Sequence, residues 1–165
     1  MLQEVVAAYQ PSAVVLQCGA DSLAGDRLGT WSLSSRGHGG AVARVAALGL
    51  PTLVLGGGGY TARNVARCWT YETSLLAGVE LPDSLPSSSE YLGYFSPLST
   101  LHPELKLRHK DKNTREHLVS LVAGVRHQLG RLVVAPSVQM RDIPEAAVGE
   151  GGMEGVLAID SDSDD

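Results

Sequence analysis

The chain has 165 residues, of which 44% are hydrophobic and 19% charged, so it can bury one core of modest size and one domain is expected. A formal net charge of -5 argues against direct binding to the phosphate backbone of nucleic acid. No apolar run approaches the ~20 residues that a bilayer-spanning helix needs, and the first residues lack the pattern of a signal peptide, so we expect no membrane partner and a nuclear or cytosolic location.

The first part of the chain alternates between helix and strand patterns. Apolar residues at helical spacing precede Pro11, which ends the first predicted helix. The continuous apolar run 13–17 is typical of a buried strand. Residues 37–48 predict a second helix that Gly49 caps, and residues 52–55 predict a second strand. The order strand, helix, strand indicates a right-handed parallel crossover and therefore an α/β fold.

The middle of the chain predicts a third helix and a long loop. Thr61 occupies the position of an N-cap and Gly78 that of a C-cap, with apolar residues at helical spacing between them. Cys18 in the first strand and Cys68 in this helix are expected as reduced thiols, because no disulfide framework is present. Residues 82–103 are rich in Ser and Pro and predict an ordered surface loop held by three aromatic residues, Tyr91, Tyr94 and Phe95.

A fourth helix and a polar tail complete the chain. Asn113, with Glu116 three residues later, resembles a capping box and predicts the start of a helix that ends near Gly130. Residues 149–165 are rich in Gly, Ser and acidic residues, and we predict that residues 145–165 form a disordered acidic tail. Ser161 stands among aspartates in a pattern that acid-directed kinases recognise, so it is a candidate phosphorylation site.

The most informative segment is the glycine run 56–59, which follows the second strand and precedes Tyr60. Four consecutive glycines are costly in backbone entropy, so they predict a place where the backbone turns sharply or another group packs against it. Asp21 follows the first strand, and the carboxyl ends of parallel strands meet at one sheet edge, so Asp21 and Tyr60 are expected on the same side. From the residues alone, Asp21 is either a metal ligand or general base, or a cap of the turn or the next helix.

Two motifs carry a family resemblance. The sequence CGADSLAGDRLG at residues 18–29 and the sequence GGGGYTARNVARCW at residues 56–69 closely resemble class I histone deacetylases, the type-3 deacetylases most of all. The resemblance runs over residues 1–144 and weakens after Phe95. It implies that residues 1–144 are the carboxyl-terminal portion of a parallel-sheet, helix-flanked catalytic domain of the arginase/deacetylase type, with residues 145–165 as its tail.

The resemblance implies roles for four residues near the sheet edge. Asp21 matches the second aspartate of the family's Asp, His, Asp zinc site. Tyr60 matches the tyrosine whose hydroxyl polarises the acetyl-lysine carbonyl while Zn²⁺ activates water, and a phenol suits this role because it is a neutral donor at physiological pH. Leu28 matches the apolar residue at the rim of the substrate channel, and Gly58 would lie against the acyl-lysine. The alternative for Tyr60 is a tyrosine packed in the core.

Arg27 and Arg63 match basic positions that hold an inositol phosphate between enzyme and corepressor in class I complexes, where guanidinium groups fit phosphate oxygens bidentately. The resemblance therefore implies acetylated histone tails and a corepressor with inositol tetrakisphosphate as partners. It also implies transcriptional repression in the nucleus, with the cytoplasm as a second location. Without the resemblance, Arg27 would pair with Asp26 in its loop and Arg63 would be a solvated helix residue.

The sequence also departs from the family. The family's zinc site takes two more ligands from an Asp-x-His motif, and its general base comes from paired histidines, and neither pattern occurs here. Zinc sites use at least three protein ligands, so we expect this chain by itself to be inactive and the outer edge of its first strand to be unpaired. His38 has no companion histidine and is expected to cap a helix or face solvent rather than act as a base.

Two further interpretations stay open. The chain could be a non-catalytic corepressor or inositol-phosphate binding module, in which Arg27 and Arg63 matter and Asp21 does not. It could also be a nucleotide-binding α/β domain, although the glycines at 56–59 fit neither G-x-G-x-x-G nor a P-loop with its lysine.

Overall fold

The computed structural model describes residues 1–107 and 110–132, which belong to one unit of the chain. No helix in this part is long and apolar enough to cross a bilayer. In chain order the elements are α1 (Leu2–Tyr9), β1 (Val14–Gln17), a 3-10 turn (Ala20–Ser22), α2 (Ser35–Ala46), β2 (Thr52–Leu55), α3 (Ala62–Ala77), a second 3-10 turn (Leu92–Phe95) and α4 (Arg115–Leu129).

The two strands form a parallel sheet, as predicted. Val14 pairs with Thr52 and Gln17 with Leu55, so both strands end at the same level. Pairing continues past the strands, because the Cys18 N–H donates to the Leu55 carbonyl at 2.8 Å. The α/β prediction is confirmed, and the segments that follow β1 and β2 lie side by side.

Only one face of this sheet is covered by the described residues. Leu16 lines a cavity with Val42 of α2, whereas Val15 and Leu53 on the opposite face are 69% and 56% exposed. The prediction that β1 is a buried strand is therefore wrong, because Val14 and Leu16 are only half-buried and Val15 and Gln17 are exposed. Within the described residues the sheet has only these two strands, so the outer edge of β1 is unpaired, as expected.

The core lies beneath the carboxyl ends of the strands. Ala20, Leu23 and Cys68 are almost completely buried, and Val65 and Trp69 of α3 pack against them. Both cysteines are buried free thiols, in agreement with their expected reduced state. Ala20 and Leu23 from the segment after β1 therefore pack directly on α3, and this packing sets the position of the turn.

The helix boundaries follow from their caps. The Ser34 hydroxyl accepts a hydrogen bond from the Gly37 N–H at 3.0 Å, so α2 begins two residues before the predicted start. Thr114 caps α4 in the same way, and the prediction of Asn113 as its cap is wrong by one residue. α3 begins after Thr61, as predicted, but the Thr61 hydroxyl caps no N–H of the helix and instead donates to the Gly25 carbonyl at 3.2 Å. The helix ends before Gly78, whose φ of 67° is left-handed, as predicted.

The loop after α3 is held by an arginine rather than by its aromatic residues. Arg67 of α3 is 5% exposed, its Nε donates to the Thr100 carbonyl at 2.7 Å, and its guanidinium lies 4.8 Å from the centre of the Phe95 ring. Tyr91 and Tyr94 are mostly exposed, so the prediction that three aromatics hold the loop is correct only for Phe95. A buried guanidinium satisfies several loop carbonyls at once, which exposed phenol rings cannot do.

Candidate functional site

The turn that follows β1 carries Asp21 to the edge of the sheet. The Ala20 N–H donates to the Gly58 carbonyl at 2.8 Å, and the Ser22 hydroxyl donates to the Gly19 carbonyl at 2.8 Å. The first bond holds the turn against the glycine run and the second closes the turn, and Asp21 between them is half-buried. The carboxylate therefore lies at the sheet edge, as the topology predicts.

The glycine run exists because Asp21 and the end of β1 lie against it. A Cβ placed on Gly58 would be 2.7 Å from Cγ of Asp21, and one on Gly57 would be 2.9 Å from Cα of Gly19. Gly57 also has a φ of 156°, at the limit of the region that side chains disfavour. Residues with side chains would therefore push the two loops apart, and the predicted close approach at the glycines is found.

Asp26 joins the two loops, and sequence reasoning missed this role. The side chain is 2% exposed, and Oδ1 accepts from the N–H groups of Leu28 and Gly29, each at 2.9 Å. Oδ2 accepts from the N–H groups of Tyr60 at 2.8 Å and Thr61 at 3.2 Å. The bonds within the first loop form an Asx-type turn that the sequence could have indicated. The bonds to the second loop have no local signal.

Burial pushes the pKa of the Asp26 carboxyl upward, but the four backbone N–H donors outweigh burial, and its pKa lies below the ordinary value. Asp26 is therefore a carboxylate at neutral pH. Because all its hydrogen bonds go to backbone groups, the alternative of an Arg27–Asp26 ion pair is wrong within the described residues.

Tyr60 is held by its backbone and leaves its side chain at the surface. Its N–H bonds Asp26, whereas the side chain is 47% exposed, and no described residue hydrogen-bonds the phenol. The alternative of a packed core tyrosine is therefore not what the structure shows. The side chain is therefore accessible to a ligand, and its catalytic role stays a prediction.

Three other predicted residues lie on the two segments that Asp26 joins. Leu28 is 69% exposed on the loop that Asp26 closes, where a rim residue is expected. Arg27 on the same loop and Arg63 in the first turn of α3 are exposed, and neither forms an ion pair with a described residue. Asp26 brings their two segments together through the N–H of Thr61. The roles of these three residues stay predictions.

His38 contradicts its predicted role as a cap or solvent-facing residue. Its Nδ1 bonds the carboxyl of Glu72, and its Nε2 lies 3.2 Å from the Gly19 carbonyl oxygen. The hydrogen bond to Glu72 raises the pKa of His38 although burial opposes this. Ser34 caps α2 instead. The contact with Glu72 could not be predicted from the sequence, because Glu72 lies 34 residues away and no local pattern indicates it.

The described residues contain one cluster of possible metal-binding groups besides Asp21. His38, Cys68 and Glu72 place their donor atoms within 4.8 Å of one another. Both ring nitrogens of His38 are already hydrogen-bonded, and burial raises the pKa of the Cys68 thiol strongly, which keeps it protonated. These groups satisfy one another, so the cluster is not the predicted zinc site. Asp21 is the available ligand, and its environment fits one carboxylate ligand of a zinc ion.

The predicted acidic tail at residues 145–165 and its candidate phosphorylation site Ser161 lie outside the described residues.

Comparison with known proteins gives the family. Residues 1–76 match the histone deacetylase domain. Over 147 residues the chain is 47% identical to histone deacetylase B of Dictyostelium discoideum, an alignment that covers 87% of this chain and 35% of the relative. The chain thus spans about a third of the length of this curated relative. The domain match includes both motifs of the site, and on these two matches the chain belongs to the histone deacetylase family.

Proposed function

We propose that this chain contributes Asp21 and Tyr60 to a zinc-dependent hydrolase that removes acetyl groups from lysine side chains. The observation that carries the proposal is the contact of the Asp21 carboxylate with Gly58, two residues before Tyr60. The glycine run that leads to Tyr60 thereby lies against the Asp21 carboxylate, and in the proposed site the two residues supply a carboxylate oxygen ligand and a phenol hydrogen-bond donor. Family membership supports the hydrolase class.

Each residue then has a defined part in the reaction. Asp21 would hold the zinc ion together with ligands from elsewhere in the domain, and bound zinc would supply Lewis-acid activation of the attacking water. The Tyr60 phenol would donate a hydrogen bond to the acetyl oxygen as negative charge develops on it. Asp26 fixes the Tyr60 backbone, so the point from which this side chain extends is held in place before the substrate arrives. Leu28 would contact the lysine stem at the rim, and Gly58 would form its flat wall.

The proposed substrates are acetylated histone tails, and the proposed setting is transcriptional repression in the nucleus, with the cytoplasm as a second location. Family membership and the name of the Dictyostelium relative support this proposal. The net charge of -5 suits a basic tail rather than a nucleic acid.

Zinc content and deacetylation test the function. We define the joined enzyme as this chain preceded by the amino-terminal region of the Dictyostelium relative. The joined enzyme is expected to bind one zinc ion and hydrolyse an acetyl-lysine peptide. This chain alone is expected to hold no zinc and to be inactive, because one carboxylate does not retain the metal. Metal analysis and peptide assay measure both, and a joined enzyme that folds without zinc would exclude the function.

A second candidate function is recognition of inositol tetrakisphosphate beside a corepressor. Arg27 and Arg63 support it, because both are exposed and unpaired among the described residues and their segments are joined through Asp26. Guanidinium groups bind phosphate oxygens bidentately. This function does not need zinc.

Arg63→Ala in the full chain is expected to weaken inositol tetrakisphosphate binding about tenfold or more, since a charge-assisted hydrogen bond contributes ~1.5–3 kcal/mol. Isothermal titration calorimetry measures the effect. Arg44→Ala is the matched control, because it removes the same charge from an exposed position of α2. Equal losses in the two variants would indicate general charge attraction, and no binding by the unaltered chain would exclude the candidate for this chain.

A further inference from the structure

A buried histidine and glutamate lie directly behind the turn that carries Asp21. His38 of α2 and Glu72 of α3 expose only 11% and 4% of their side chains, and His38 Nδ1 bonds Glu72 Oε1. The other ring nitrogen, Nε2, lies 3.2 Å from the carbonyl oxygen of Gly19, the residue at which the turn begins. The pair therefore ties two helices to the backbone of the turn.

The partners of the ring fix where its hydrogens lie. A carbonyl oxygen only accepts, so Nε2 must carry a hydrogen that it donates to Gly19. Nδ1 and the Glu72 carboxyl share a further proton, whichever of the two groups holds it. The bond to Gly19 is the same in either case. It depends on the position of the ring, and Glu72 sets that position.

Close packing of the two helices keeps the pair in place. A Cβ on Gly39 would lie 2.7 Å from Cδ1 of Tyr71, so α2 approaches α3 there only because residue 39 is glycine. The Cys68 thiol also donates to Glu72 Oε1 at 3.5 Å. With its carboxyl bonded from two sides and buried, Glu72 has little freedom to turn away from His38.

We propose that His38, held by Glu72, is a positioning residue for the Asp21 carboxylate. Gly19, Asp21 and His38 line one cavity of about 320 Å³, and Gly19 is two residues before Asp21. The Asp21 carboxylate packs so closely on Gly19 that a Cβ there would be 2.8 Å from Oδ1. Fixing the Gly19 carbonyl therefore fixes the surface against which the carboxylate rests. The proposal rests on the proposed function, in which Asp21 is a zinc ligand.

The unaltered full chain provides the first test. Nitrogen-15 NMR of the imidazole is expected to show a hydrogen on Nε2, protected from exchange and coupled to the Gly19 carbonyl carbon. A ring whose Nε2 carries no hydrogen, or whose Nε2 hydrogen exchanges freely, would overturn the proposal. This measurement needs no variant to fold.

The double variant His38→Phe/Glu72→Leu separates positioning from stability. It replaces both partners with apolar side chains of similar shape, so no buried charge is left unpaired. The amide signals of Ala20 and Asp21 are expected to shift and the exchange of the Ala20 amide to accelerate, with the denaturation midpoint nearly unchanged. Unchanged signals at these two amides would overturn the proposal.

Two matched variants complete the comparison. Glu72→Gln keeps a hydrogen-bonding partner for the ring, so the Gly19 bond and the Asp21 signals are expected to persist. Ser74→Ala removes a buried hydroxyl of α3 that donates to the Tyr71 carbonyl, and it is expected to leave the Asp21 signals in place. A shift of equal size in Ser74→Ala would assign the effect to helix stability and refute positioning.

The joined enzyme tests whether the His38–Glu72 pair affects zinc affinity. Loss of a group that orients a ligand lowers metal affinity about 10–100-fold, so the double variant is expected to lose zinc to a competing chelator by that factor, while Glu72→Gln retains it. Equal zinc affinity of the double variant and the unaltered enzyme would overturn the positioning role of His38 and leave the proposed function standing. If the unaltered joined enzyme holds no zinc, the proposed function itself fails, and positioning fails with it.

Discussion

Tyr60→Phe in the joined enzyme is expected to lower kcat about 100–1,000-fold, the effect of removing one donor to a developing oxyanion. The reason is that phenylalanine keeps the ring and removes only the exposed hydroxyl, which no described residue binds. Zinc content is expected to stay unchanged, because the phenol is not a ligand. Steady-state kinetics with an acetyl-lysine peptide and metal analysis of the same sample measure the two quantities.

Tyr91→Phe is the matched control for this substitution. Tyr91 is 70% exposed in the loop after α3, so loss of its hydroxyl is expected to leave both kcat and zinc content unchanged. If Tyr60→Phe kept full turnover with zinc bound, the assigned role of the phenol would be refuted. A parallel loss of zinc would instead assign Tyr60 to the metal site.

Asp26→Asn in the full chain is expected to lower the free energy of unfolding by about 2–4 kcal/mol, because an unsatisfied buried donor costs ~1–3 kcal/mol. Asparagine keeps one oxygen acceptor and presents an NH₂ group to two of the four N–H donors that Asp26 satisfies. Urea denaturation at neutral pH measures the change. Amide exchange at Tyr60 and Leu28 shows which loop is released.

The contribution of Asp26 to the free energy of unfolding is expected to decrease in acid. Its pKa is lowered in the folded chain from an ordinary value of 3.8, so its carboxylate stabilises the fold above that value. This contribution is lost as the pH falls through the lower folded pKa, and the difference between the unaltered chain and Asp26→Asn should narrow below about pH 4. A difference that stays constant into acid would show that charge is not involved.

Asp111→Asn is the matched control for Asp26. Asp111 is exposed, and its Oδ1 accepts two hydrogen bonds from Asn113, which an amide oxygen can also accept. Its substitution is expected to change the unfolding free energy by no more than about 0.5 kcal/mol. An equally small effect of Asp26→Asn would mean that the two loops are held together by other contacts.

Much of the local structure was predictable because its signals are local. The helix at 62–77 has a glycine cap and a helical apolar pattern, and β2 coincides with its predicted residues 52–55. Where boundaries differ, as at Ser34 and Thr114, the hydroxyl of the residue before the helix accepts from an N–H of the first turn and so sets the start of the helix. The site motifs also carry local information, since four glycines in a row predict a close approach.

The sequence by itself determined the order of elements, the parallel pairing and the presence of a carboxylate and a phenol after neighbouring strands. Tertiary structure alone decided what holds those groups. Asp26 binds Tyr60 across 34 residues, Glu72 binds His38 across 34 residues, and Arg67 holds a loop up to 33 residues away. A hydrogen bond between distant residues has no periodic pattern in the sequence, because it depends on where folding brings the two chain segments together.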